Sequence, residues 1–142
     1  MTETGTPADT AREPSTDEVL AVAAEIVAAF AATDTARYFA HFAPEATFVF
    51  HPEDDRLDSR AAYEALWDSW LRSGWSVTSC NSANPHVQTF PGGAVFAHDV
   101  ATAVSTPDGD DSYRERESIV FRVDGERLVA IHEHLSPAPD AA

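Results

Sequence analysis

Apolar residues recur at intervals of three and four along the first part of the chain. Val19, Val22, Ala23, Ile26, Val27 and Phe30 fall on one face of a helix. Ser15 and Glu18 stand ahead of them with capping-box spacing, so the pattern predicts a first helix from Ser15 to about Thr33. A short second helix is expected behind Asp34 or Thr35, carrying Tyr38, Phe39 and Phe42. It should stop at Ala43, because Pro44 disfavours the αR conformation in the residue before it. Ala46 to His51 reads as a strand, ended by the acidic, turn-forming run Pro52 to Asp58. A third helix then starts at Asp58 or Ser59, with Tyr63, Leu66, Trp67, Trp70 and Leu71 at i, i+3, i+4, i+7 and i+8, and Gly74 to close it.

After Gly74 the period changes to two. Trp75 to Cys80, His86 to Phe90, Ala94 to Ser105, Tyr113 to Val123 and Arg127 to Ser136 read as strands, with Asn81 to Pro85 as a bend or bulge. The turns Pro91-Gly92-Gly93, Pro107-Asp108-Gly109 and Asp124-Gly125 are short, so consecutive strands must pair antiparallel. Helices early and strands late give an α+β fold. Three N-terminal helices are expected to pack on one face of a curved antiparallel sheet with a mixed edge. Residues 1–14 and 138–142, rich in Thr, Pro, Ala and acid, are expected to be disordered tails around one domain spanning 15–137.

Composition narrows the partners. The chain has 142 residues, with 24 acidic against 9 basic ones and a formal charge of -15, and none of the basic residues is a lysine. Nucleic acid and anionic membrane surfaces bind through clustered Lys and Arg, so neither is an expected partner. No apolar run approaches the roughly 20 residues of a membrane span. Met1 to Pro14 has neither the basic nor the apolar region of a secretory signal. Cys80 is the only cysteine, which rules out an intrachain disulfide and a Cys-based zinc site; a cytoplasmic location is the simplest expectation.

The run D-S-R-A-A-Y-E-A-L-W at Asp58 to Trp67, the element order, and the ending from Glu115 to Ser136 resemble the SnoaL-like branch of the nuclear-transport-factor-2-like superfamily. The resemblance covers residues 16 to 137. Its most specific part is the terminal hairpin, with Arg116 and Ser118 before a D-G turn and His132, His134 and Ser136 after it. The sequence departs from that pattern at Leu128, where a Trp is common. The resemblance implies a cone-shaped fold whose helices close the sheet over a cavity for a small, often apolar, organic molecule. It further implies a homodimer through the outer sheet face. Members include polyketide cyclases, isomerases, dehydratases and non-catalytic domains, so the fold does not decide the chemistry.

Several side chains are candidates for that chemistry. His98 shares the apolar face of its strand with Phe96, Val100, Thr102 and Val104, and is either a satisfied core group or a general acid or base. His132 and His134 project to one face and Glu133 to the other, as cavity histidines or as a pair on the outer surface. A metal site lacks a third ligand by spacing, and neither metal nor cofactor is expected. Arg116 is read as an anchor for a ligand oxyanion or as the neutraliser of a neighbouring glutamate. The leading reading is therefore a cofactor-free isomerase, dehydratase or cyclase with His98 or His134 as base and Arg116 or Tyr38 at the oxyanion. Its cavity would be lined by Tyr38, His51, Trp67, Trp70, Phe96, Ser118 and His132. The alternative is a non-catalytic ligand-binding or dimerisation module.

The register of the last hairpin decides which charges meet the histidines. A two-residue Asp124-Gly125 turn pairs Val123 with Glu126 and puts Glu117 opposite His132. A three-residue loop pairs Arg122 with Glu126 and groups Arg116 and Ser118 with His132 and His134. The second register is preferred, with the group on the cavity face.

Overall fold

A computed structural model describes residues 12–139. Ser15 caps the first helix, α1 (Thr16–Ala31), accepting from the Glu18 amide. Its buried stripe is Val19, Ala23, Ile26 and Ala29. Beyond it Thr33 takes a positive φ of 52°. Its hydroxyl holds both the amide and the carbonyl of Val77, which docks the helix end on the sheet. Asp34 caps α2 (Thr35–Phe39). Ser59 caps α3 (Arg60–Arg72), and Gly74 follows it at φ 99°.

The second helix is shorter than its apolar spacing suggests. Phe42 is not on it but opens β1 (Phe42–Phe50), pairs with Ala130 and is almost fully buried. Pro44 lies in that edge strand, within the stretch where pairing jumps from Phe42 to Thr47. A residue without an N–H is tolerated there because no ladder bond is asked of it.

The other strands are β2 (Ser76–Phe90), β3 (Gly93–Thr106), β4 (Gly109–Asp124) and β5 (Arg127–Pro137). They form one sheet in the order β1-β5-β4-β3-β2. β2 to β5 are an antiparallel meander, and β1 joins β5 in parallel. The expected bend between Asn81 and Pro85 is a register shift between Ala83 and His86, with Asn84 at φ 55°. The helices cover the concave face, and Tyr38, Phe42, Phe48, Trp67, Ile119 and Phe121 fill the core between them. None of the described helices is long and apolar enough to cross a membrane.

Arg12 to Pro14 fall within the expected N-terminal tail, yet they are tied to the domain. Arg12 donates to Glu18 at 3.0 and 3.2 Å and its carbonyl accepts from the Gly92 amide, while Thr89 donates to Glu13. The rest of both expected tails, residues 1–11 and 140–142, lies outside the described residues.

The terminal hairpin follows neither expected register. Asp124 pairs with Arg127, leaving Gly125 and Glu126 as the turn, and pairing continues regularly to Phe121 with Ala130. The next pair is Val120 with His132, so Ile131 has no partner. Ile131 is a β-bulge, and it reverses the facing of everything after it. Leu128 and Ala130 point into the core; beyond the bulge Glu133 points inward and is buried, while His134 is exposed.

Candidate functional site

The helices and the concave sheet face enclose a cavity of about 270 Å³. Phe30 of α1, Tyr38 of α2, Tyr63 and Trp70 of α3, and Trp75 give it aromatic walls. Its sheet side carries three carboxyls, Glu115 and Glu117 from β4 and Glu133 from β5. Alternation puts Glu115 and Glu117 on the same side as Ile119, Phe121 and Val123. Glu133 joins them because of the bulge, one step along the diagonal from Glu117, whose direct partner is Leu135.

These acids are buried, at 7% (Glu115), 9% (Glu117) and 4% (Glu133) relative exposure. Burial, the nearby Glu117 charge and the hydrogen bond with Glu117 raise Glu133 well above the ordinary carboxyl range. Burial also raises Glu117, offset in part by the bond it accepts from Glu133. The pair thus holds a shared proton, with Glu133 as the acid and Glu117 as the carboxylate. Tyr38 donates to Glu133 at 3.4 Å and stands 3.0 Å from the Tyr63 hydroxyl. Burial raises both phenols, so they remain neutral donors.

Two histidines stand behind the carboxyls. His98 faces Glu117 across β3 and β4, with Nε2 2.6 Å from Oε1, and its Nδ1 lies 2.6 Å from the Ser82 hydroxyl. The His98 contact is a hydrogen bond between a neutral imidazole and the acid pair rather than an ion pair. Burial pushes the ring down to about 4, against the pull of Glu133 and Asp99. Nε2–H donates to Glu117 and Ser82 donates to Nδ1. His51 Nε2 lies 2.6 Å from Glu115, and burial raises Glu115 against the effect of this contact.

The expected site residues therefore separate into three groups. Tyr38 and Trp70 line the cavity, and His51 and His98 reach it through Glu115 and Glu117. Trp67 and Phe96 are core: Trp67 is fully buried, donating to Thr35 at 2.9 Å, and Phe96 packs on His98. Arg116, Ser118, His132 and His134 do share one face, as the preferred register groups them, but it is the outer one. Arg116 pairs with Ser136 and Ser118 with His134. His132 bonds Thr47 at 2.7 Å, half-buried. The placement of the C-terminal histidines and Arg116 in the cavity is thus corrected, and the bulge at Ile131 is the cause. What the expectations missed is the acid set. Glu115 and Glu117 were legible as charges on the apolar parity of β4; Glu133 was not, because its facing depends on the bulge. Among the described residues no group of His, Cys, Asp and Glu is placed to hold a metal ion.

Residues 19–140 match the profile of the SnoaL-like domain. A search of curated proteins finds no match to the chain. Among solved structures, an NTF2-like superfamily protein from Salmonella enterica serovar Typhimurium is similar at 14% identity, with 89% of this chain and 92% of that one covered and a TM-score of 0.76. A putative calcium/calmodulin-dependent protein kinase II association domain from Xanthomonas campestris is similar at 18% identity over 99% and 97%, with a TM-score of 0.74. The CaMKII hub of S. rosetta is similar at 22% identity over 88% and 99%, with a TM-score of 0.71. At these identities the likeness is one of fold.

Proposed function

The chain belongs to the SnoaL-like domain family, and we propose that this member is a small-molecule-binding pocket protein that moves protons on its ligand without a cofactor. The observation that supports this is the hydrogen-bonded Glu117–Glu133 pair in an aromatic-walled cavity. One member holds a proton while the other is ionised, which sets a general acid beside a general base at one pH. Glu117 would take a proton from the ligand and Glu133 would return one, the arrangement that isomerisation, dehydration and aldol-type cyclisation need. The neutral Tyr38 and Tyr63 hydroxyls supply donors for a developing oxyanion, the role first expected of Arg116. His98 and His51 orient the acids.

The volume lies just under the range of about 300–1,000 Å³ for drug-sized ligands, which suits a molecule of one or two rings. The names hub and association domain borne by two similar structures, with half-buried Val95, Ala97, Val120 and His132 on the outer sheet face, support a homodimer through that face. The single cysteine suits a cytoplasmic setting.

A second reading, a ligand-binding module without catalysis, is favoured by one observation: among the described residues no Arg or Lys lines the cavity. Incubation with small cyclic ketones, with and without a tertiary amine, in D₂O separates the two. Deuterium entering the α-carbon faster than in buffer, and lost in Glu117→Gln, is the result expected of the enzyme. Ligand-induced changes in Trp70 and Trp75 fluorescence with no exchange for any ketone would leave the binding module.

A further inference from the structure

Four glutamates line the cavity (Glu53, Glu115, Glu117 and Glu133), and among the described residues no arginine, lysine or histidine does. Glu115 has His51 against it and Glu117 has His98, but Glu133, aimed into the cavity and 4% exposed, has no cationic partner among the described residues. A buried carboxylate without a counter-ion is costly, and the protein meets that cost by keeping a proton on the pair.

From a buried Glu133 that no cation faces, the aromatic walls and the lack of any cation in the lining among the described residues, we infer that the natural ligand is a small organic monocation, an amine on an apolar ring body. The inference rests on the pocket reading above and names its ligand class. The ammonium group sits among Glu115, Glu117 and Glu133, where two or more carboxylates accept its N–H bonds. The ring body lies against Phe30, Trp70 and Trp75, whose faces attract a cation's neighbouring carbons as well as bury apolar surface. A carboxylate-bearing ligand of the same shape meets like charge on every polar side of the cavity. The net charge of -15 draws cations toward the molecule at low salt.

Cation entry is coupled to proton release. The groups that face the acids are Tyr38 from α2, Tyr63 from α3, Thr102 from β3, Tyr113 and Glu115 from β4, Cys80 from β2 and Glu53 beyond β1, with His98 behind Glu117 and His51 behind Glu115, while α1 presents only Ile26, Val27 and Phe30. None of the described groups that line the cavity itself is cationic, so a bound ammonium brings the first positive charge into the cavity beside the pair. The O–H bond of Glu133 breaks, its proton goes to water, and while the cation is bound the ammonium N–H takes the place of Glu133 both as donor to the pair and as the acid beside Glu117. Affinity therefore rises with pH up to the titration of the ligand's own amine.

The test uses the full chain and three probes of one shape: 2-phenylethylamine, 2-phenylethanol and 3-phenylpropanoate, titrated calorimetrically at pH 6 and 8 in buffers of differing ionisation heat. The amine should bind at least about tenfold more tightly than the alcohol, the gap expected of one charged hydrogen bond. It should release up to one proton and lose about tenfold in Glu133→Gln, while the propanoate shows no binding. Glu117→Gln gives an independent variant should the first fail to fold, and the comparison of probes on the unaltered protein needs neither. Alcohol or propanoate binding as tightly as the amine would overturn the cation inference and leave the pocket reading standing. No binding of the amine at millimolar concentration would overturn it too, and the ketone exchange experiment then judges the pocket reading alone.

Discussion

Glu117 and Glu133 hydrogen-bond to each other in the cavity wall although they are not directly opposite on their strands. Were Ile131 paired with Val120 rather than bulged, the ladder that pairs Phe121 with Ala130 would continue to Ile119 with His132 and Glu117 with His134, and Glu133 would face solvent. Whether that one residue is bulged or paired thus decides whether the cavity holds histidines or a pair of acids.

The pair makes stability depend on pH in a definite direction. Glu133 titrates well above its ordinary value of 4.5 in the folded chain, so the folded state holds more protons than the unfolded one above that pH. Stability from this group is complete below about 4.5 and is lost as pH rises through the folded value. Glu133→Gln keeps a donor to Glu117 and removes the titration. The variant should equal the parent near pH 4 and exceed it increasingly as pH rises toward 8. Urea denaturation across that range measures the gap, and a variant that loses ground with rising pH contradicts the shared proton.

His98 acts in the opposite sense. Its ring is held at about 4 against an ordinary 6.5, so the unfolded chain binds the extra proton as pH falls through that window. Its contribution is complete above about 6.5 and is lost toward 4. His98→Gln removes this linkage at the cost of two buried hydrogen bonds, a loss of about 1–3 kcal/mol at pH 7.5. The difference from the parent should narrow at pH 4.5. A difference that stays constant would mean that the ring titrates alike in the folded and unfolded chain, and one that widens would mean that the folded state holds it charged.

The outer face is separable from the cavity. Arg116→Ala and His134→Ala, both at exposed positions, should leave amine-probe binding within about twofold of the parent. Val120→Glu, opposite His132 on that face, should convert the expected dimer to monomer, read by light scattering at micromolar concentration. A tenfold loss of probe binding in His134→Ala would restore that histidine to the site.

The helices and most strands were legible because their signals are local. Ser15 and Ser59 cap where the sequence places caps, Gly74 ends α3, and the period-two runs became β2 to β5. Phe42 misled because helical spacing from Tyr38 also fits a helix only five residues long followed by a strand that buries the same ring. Tyr38 and Trp70 reached the cavity as their helical faces implied. Arg116, Ser118, His132 and His134 kept their mutual grouping, which follows from cross-strand pairing, but their side of the sheet followed from a bulge that no residue type in Val129 to His132 announces. Glu115 and Glu117 could have been found, since a strand whose other inward positions are Ile119, Phe121 and Val123 carries acid there only if something in the cavity needs it.

Deleting Ile131 tests the bulge directly. A one-residue deletion inside a central strand normally turns every later side chain to the other face and unfolds the domain. Here the deleted residue is the unpaired one, so Ala130 would be followed by His132 in a regular ladder, with Phe121–Ala130, Val120–His132 and Ile119–Glu133 all retained. The neighbouring β1 already skips several residues at this point, from Phe42 to Thr47, and can adjust. The deletion should cost no more than about 3 kcal/mol in urea denaturation, within the range of ordinary single substitutions. Glu133 should keep its raised titration, followed by carbon NMR of the labelled carboxyl, and amine-probe binding should persist. Deleting Val120 from the opposite strand has no bulge to absorb it and should abolish folding. A normal carboxylate titration for Glu133 in the Ile131 deletion, with His132 and His134 turned inward, would show that something other than this bulge sets the facing of the strand.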